Sequence, residues 1–161
     1  MTKITLPLSV LQRIEQVGSG AVSDKKGCGR SVSDYSAWET DLGNGGLLAV
    51  IAQGQTPCLC DGGNCSLWIF RKTPTGFVEL LSNFGVHDFH FRSTRTMGYS
   101  DLVISTHNAP FDFKLDVFGF DGTEYLLKEC WDRSFATLDK HGHVVHVSKQ
   151  AKVTREGCPQ L

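Results

Sequence analysis

Asp41-Leu-Gly-Asn-Gly-Gly-Leu-Leu-Ala-Val-Ile51 is followed by Leu67-Trp-Ile-Phe-Arg71 and Gly76-Phe-Val-Glu-Leu-Leu81, and the same plan then returns. Its second statement is Thr96-Met-Gly-Tyr-Ser-Asp-Leu-Val-Ile-Ser105, Leu115-Asp-Val-Phe118 and Gly122-Thr-Glu-Tyr-Leu-Leu127. Each copy holds a Gly turn, an apolar strand, a second apolar strand and a Gly-led third strand. Self-similarity of this length marks a supersecondary unit used twice. Such a repeat specifies a scaffold and leaves the chemistry to what differs between the copies.

Around this core the chain reads as β from Tyr35 onward. Unit one spans residues 35–82, with a turn at Asn44-Gly-Gly46, a hairpin signal, and an insertion from Gln53 to Cys65. Unit two spans residues 86–130, with a turn at Thr94–Gly98 and a loop at His107–Asp112. The tail, residues 131–161, adds strands at Phe135–Leu138, His143–Val147 and Lys152–Arg155. Consecutive strands joined by tight turns pair with each other. Each unit is therefore an antiparallel meander whose apolar face must be buried against the other. Residues 5–17 form the one helix candidate: Thr5 can cap, Pro7 sits in the first turn, and Val10, Leu11, Ile14 and Val17 share a face. Gly18-Ser-Gly20 stops it, and a polar connection runs to residue 34. The expected fold is mainly β in a single domain, 1–161, built as a sandwich or as propeller-like blades with an N-terminal helix.

A chain of 161 residues buries about 70% of its unfolded surface and needs no disulfide merely to have a core. Its 16 basic and 17 acidic residues nearly balance. The densest basic runs are the pairs Lys25-Lys26 and Arg71-Lys72, so the basic stripe of a nucleic-acid binder is missing. No apolar run approaches the ~20 residues of a membrane-spanning helix. Six cysteines in a Gly-rich β chain favour disulfides and an oxidising compartment, periplasmic or secreted. Met1–Val10 has no apolar stretch of the secretory kind. The expectation is therefore an exported chain whose leader has been removed; the alternative is a cytoplasmic chain with free thiols.

The segment Cys58-Leu-Cys60, followed four residues on by Cys65, lacks the paired knuckles of structural zinc. It is read as a Cys60–Cys65 disulfide closing a tight loop at Gly62-Gly63-Asn64, where glycine permits positive φ. Cys28, Cys58, Cys130 and Cys158 cannot be paired from the sequence. No metal or cofactor is expected. His87 and His90, three apart on a strand, should face opposite sides. His141 and His143 can share a face, with His146 turned away. The aromatics Trp38, Trp68, Phe70, Phe77, Phe118, Phe120 and Tyr125 recur at matching places and are read as core, with Trp131 outside the repeat.

The segment Ser105-Thr-His-Asn-Ala-Pro-Phe-Asp112 is read as the binding loop. Ser105, Thr106, His107, Asn108 and Asp112 offer donors and acceptors, Pro110 restricts the backbone, and Phe111 makes an apolar tip. Ser105 and His107 also permit a hydrolase reading, but no Gly-x-Ser-x-Gly elbow surrounds Ser105 and an orienting acid is not evident. No catalytic residue is assigned.

Asp41-Leu-x-Asn-x-Gly46 and Gly98-Tyr-Ser-Asp-Leu-Val-Ile104 resemble the core of FG-GAP/VCBS-type repeats, whose acidic loops hold calcium. In this chain Gly45, Ala49, Ser93 and Met97 stand where that resemblance would place further oxygen ligands. The runs Cys60-Asp-Gly-Gly-Asn-Cys65-Ser-Leu-Trp68-Ile-Phe70, Gly98-Tyr-Ser-Asp-Leu-Val103 and Phe118-Gly-Phe-Asp-Gly-Thr-Glu-Tyr125 resemble small exported bacterial β-proteins of unknown function. In size, export and β-content the chain is similar in kind to immunity proteins against amidases delivered by type VI secretion. These resemblances imply a non-enzymatic exported protein that binds a peptidoglycan-degrading effector enzyme and occludes its active site. A calcium- or ligand-binding β module is the alternative.

Overall fold

The computed structural model describes residues 1–17, 27–43, 45 and 47–158. Gly18-Ser-Gly20, the first part of the polar connection, Asn44 and Gly46 of the first turn, and the last three residues lie outside the described residues. The chain forms β1 (Thr2–Ile4), α1 (Leu8–Gln16), a single 3-10 turn (Val32–Asp34), β2 (Tyr35–Asp41), β3 (Leu48–Gly54), β4 (Cys60–Asp61) and β5 (Asn64–Thr73). It continues through β6 (Gly76–Val86), β7 (Asp88–Thr96), β8 (Tyr99–Ala109), β9 (Asp112–Phe120), β10 (Tyr125–Leu138) and β11 (Val144–Glu156).

The two copies become two antiparallel sheets. In the first, β2, β3, β5 and β6 pair in sequence; in the second, β7, β8, β9 and β10 do the same. β1 extends the first sheet beside β2, and β11 extends the second beside β10. The chain changes sheets at His87. β10 absorbs the separately expected Phe135–Leu138, and β11 joins the two tail strands into one. β1 and β4 went unread, being three and two residues long. The expected His107–Asp112 loop is instead a tight hairpin: β8 runs to Ala109, β9 starts at Asp112, and only Pro110 and Phe111 lie between.

Period-two alternation explains which residues meet. Ala49, Ile51, Leu67 and Ile69 point to one side of the first sheet, where they join Phe89, Leu102, Ile104, Phe118 and Phe120 of the second. Val50, Ala52, Trp68 and Phe70 point to the other, where they join Leu6, Val10, Leu11 and Ile14. The first sheet is thus buried on both faces, so its strands read as continuous apolar runs. The helix presents Val10, Leu11 and Ile14 as expected. It starts later than expected, however: Pro7 is its N-cap and makes no side-chain hydrogen bond, so Thr5 does not cap it. Leu6 and Leu11 share its core cluster, the spacing of a hydrophobic staple at a helix entrance.

The two Gly turns of the repeat meet across the sheets. Ser100 N–H donates to the Leu42 carbonyl at 2.7 Å, and a Cβ on Gly43 would stand 2.9 Å from the Gly98 carbonyl oxygen. Only glycine allows that approach. No helix packs on the outward face of the second sheet among the described residues. Beyond Ser134, where β9 ends its pairing, the β10–β11 hairpin continues alone and carries exposed Leu138, Val144, Val145 and Val147.

Candidate functional site

All six cysteines are paired. The bridges are Cys28–Cys58, Cys60–Cys65 and Cys130–Cys158. Three disulfides suit an oxidising, exported environment. Cys60 and Cys65 face each other across the β4–β5 hairpin, whose turn residues Gly62 and Gly63 have φ of 56° and 85°. Both values lie in the left-handed region, as two-residue hairpins of matching twist require.

This turn sets Asn64 against the second sheet. The Asn64 side-chain amide donates to the His107 carbonyl at 2.7 Å, and its oxygen accepts from the His107 N–H at 2.8 Å. Two bonds exchanged with one residue reproduce how a neighbouring antiparallel strand binds. β7 begins its pairing with β8 only at Asp88–Ser105, so the Asn64 amide takes the place of a strand beside His107. His87 completes the junction: its N–H donates to the Ser105 carbonyl at 2.7 Å, and Nδ1 lies 3.3 Å from the Gly63 carbonyl. The cysteine insertion and the 105–112 segment, read as separate loops from the sequence, form one contiguous structure.

Strand alternation divides the expected binding residues. The register of β8, β9, β10 and β11 places His107, Phe113, Arg133 and Val153 in one cross-strand row. Ser105, Leu115, Trp131 and Arg155 form a second row on that same outward face. Thr106 points the other way, with Lys114, Asp132 and Thr154. Ser105, Thr106 and His107 therefore cannot address one ligand from one side. Asn108 and Asp112 line a groove of about 310 Å³ with Lys114, Asp132 and Ser134.

His107 stacks on Phe113 with ring centroids 5.0 Å apart, and His87 lies 5.5 Å from both rings. Phe135 meets Phe113 edge-on at 6.2 Å. The expected opposition of His87 and His90 fails because His87 lies in the bend before β7. His90 pairs with Val103, which shares the outward face with His107. Side-chain alternation reaches only as far as the strand does. His141 and His143 sit beside the β10–β11 turn, where the Asp139 carboxylate accepts both their backbone N–H groups. Those bonds hold the Asp139 carboxyl below the usual range.

The remaining motifs are occupied by structural contacts. Asp101, in the FG-GAP-like stretch, accepts from Thr96 Oγ1 at 2.6 Å and has the Lys128 ammonium 3.8 Å away. Burial pushes this carboxyl up, but hydrogen bonds from Thr96 and Thr94 and the charges of Lys128 and Arg92 hold it below its ordinary value. In the first copy Asp41 accepts from the Gly43 N–H. No group of three His, Cys, Asp or Glu is arranged to hold a metal ion among the described residues. The Ser105/His107 pair lies along one strand, and no carboxylate bonds the His107 ring among the described residues.

The tip carries the feature that the sequence did not reveal. Phe111 has φ of 75° and is 40% exposed. Pro110 and Phe111 are the central residues of a two-residue turn whose second position demands positive φ, a place ordinarily given to Gly or Asn. Phe111 is held there through its carbonyl, which accepts from the Phe135 N–H at 2.9 Å. The signal was the dipeptide Pro-Phe where Pro-Gly would be ordinary, legible only once the hairpin's length is known. Comparison of the chain with models of known protein families, with curated proteins and with solved structures gave no match.

Proposed function

We propose that this is an exported, non-enzymatic protein that binds another protein, acting as an inhibitor or immunity protein whose β8–β9 hairpin enters the active-site cleft of a cell-wall-degrading enzyme. The observation that carries the reading is Phe111, an aromatic side chain kept at a positive-φ hairpin tip. The left-handed conformation costs a non-glycine residue about 1–2 kcal/mol. Strain of this kind concentrates at binding clamps, where surrounding structure over-determines it. Here the over-determination comes from Pro110, the Phe135 N–H and the Asn64–His107 bonds. A tip fixed before encounter loses little entropy on binding, and buried aromatics are the usual anchors of protein interfaces. Asn108 and Asp112 flank the anchor and supply polar contacts at its rim.

The test is inhibition of a purified muramidase and a purified N-acetylmuramoyl-alanine amidase in a cell-wall clearing assay. The intact protein should inhibit at least one of them. Phe111→Gly, which suits the backbone, should unfold at a similar temperature and inhibit at least 100-fold more weakly, the loss of an anchor worth about 3 kcal/mol. Inhibition of neither enzyme, or equal inhibition by the variant, overturns the proposal.

A further inference from the structure

We infer that the outward face of the second sheet recognises an acidic polypeptide segment, held through the guanidinium groups of Arg133 and Arg155. This names the chemistry of the partner in the reading above and rests on that reading. The face is open, whereas the first sheet has a helix over its outward side. It presents Arg92, Arg133 and Arg155 against two carboxylates, Glu129 and, on β7 at the opposite edge of the sheet from Arg155, Asp88, which lies across from Ser105. Glu129 is already engaged, lying 3.9 Å from Arg92 and accepting from the Trp131 indole N–H at 3.1 Å.

Arg133 and Arg155 have rings for partners. The Arg155 guanidinium carbon lies 5.5 Å from the Trp131 ring centroid, and that of Arg133 lies 4.8 Å from that of Phe135. No carboxylate approaches either within ion-pair distance among the described residues. A guanidinium lying on an aromatic ring keeps its N–H edges outward, the geometry that binds a carboxylate through two parallel bonds.

Spacing favours an extended peptide over a diffuse polyanion. Arg133 and Arg155 are diagonal neighbours, one strand and two residues apart by register, which places such positions ~7–8 Å from each other. Carboxylates at alternate positions of an extended chain repeat every ~6.7 Å on one side. A strand with acidic residues at i and i+2 therefore reaches both arginines, with its backbone over Trp131.

The test is fluorescence anisotropy of labelled Glu-Val-Glu-Val-Glu-Val-Glu with the intact protein, against its Gln-for-Glu counterpart and against polygalacturonate as competitor. The acidic peptide should bind, the Gln peptide should bind at least tenfold more weakly, and polygalacturonate should compete poorly. Arg133→Ser with Arg155→Ser should weaken binding at least tenfold, and the matching pair of Lys substitutions should restore part of it. Phe111→Gly should leave peptide affinity unchanged, which separates this site from the hairpin anchor. Peptide binding without enzyme inhibition would overturn the enzyme-cleft reading and sustain this one. Equal affinity for the two peptides, an unchanged double Ser variant, or tight competition by polygalacturonate would each overturn it.

Discussion

Replacing Asn64 by alanine removes two hydrogen bonds at once, those to the His107 carbonyl at 2.7 Å and to its N–H at 2.8 Å. Each such bond contributes a net ~0.5–1.5 kcal/mol, so the loss should be about 1–3 kcal/mol. For a domain of this size that corresponds to a fall in Tm of about 2–12 °C. The effect should be local as well as global. The His107 amide should exchange its hydrogen faster, while those of Leu102 and Ile104, deep in β8, keep their protection. Because the disulfide-closed turn delivers Asn64 to its partner, the substitution should cost less when Cys60 and Cys65 are both alanine. A double-mutant cycle in urea should show coupling of about 1 kcal/mol, expected of residues serving one contact. A loss below about 0.5 kcal/mol with unchanged His107 protection, or strict additivity with the cysteine pair, would refute the claim that the insertion acts as a surrogate strand.

The remaining predictions concern the other bridges and a carboxylate. Removing Cys28–Cys58, which joins residues 30 apart, should destabilise by about 3.5 kcal/mol, against about 2 kcal/mol for Cys60–Cys65 with a separation of five; urea midpoints in the opposite order would contradict this ranking. Burial pushes the Asp116 carboxyl above its ordinary value, only partly offset by Lys114. Since the folded state then binds this proton more tightly than the unfolded chain, the charged group is a liability at neutral pH that fades as pH falls through its folded and then its unfolded value near 3.9. Asp116→Asn should accordingly stabilise the fold at pH 7 and converge with the parent below about pH 4; a destabilised variant at pH 7 would reverse the sign of the argument.

The scaffold was legible because its signals are local. Glycine turns, apolar runs such as Leu67–Phe70, and the Val10, Leu11 and Ile14 face each express a short-range rule, and the four-strand order of both sheets follows from linking them in sequence. Strand ends were less legible. β8 and β9 extend through polar residues Thr106–Asn108 and Asp112, because cross-strand pairing overrides their resemblance to a loop. Cys60–Cys65 could be read from its five-residue spacing and its glycines, whereas Cys28–Cys58 and Cys130–Cys158 join segments brought near only by the sheets.

By itself, then, the amino-acid sequence determined the doubled β-meander, the helix with its buried face, the likeness of scaffold between the copies and the one short-range disulfide. Periodicity and turn chemistry act over a few residues, and no distant contact is needed to express them. Tertiary structure alone decided that the cysteine insertion and the 105–112 hairpin adjoin, since Asn64 and His107 are 43 residues apart. It also decided that Ser105 and Thr106 face opposite ways, that Phe111 holds a left-handed backbone at a hairpin tip, and that Arg133 and Arg155 share an open face. Each of these depends on which strand ends where and what lies beside it, and a one-residue change of register would reverse every side chain involved.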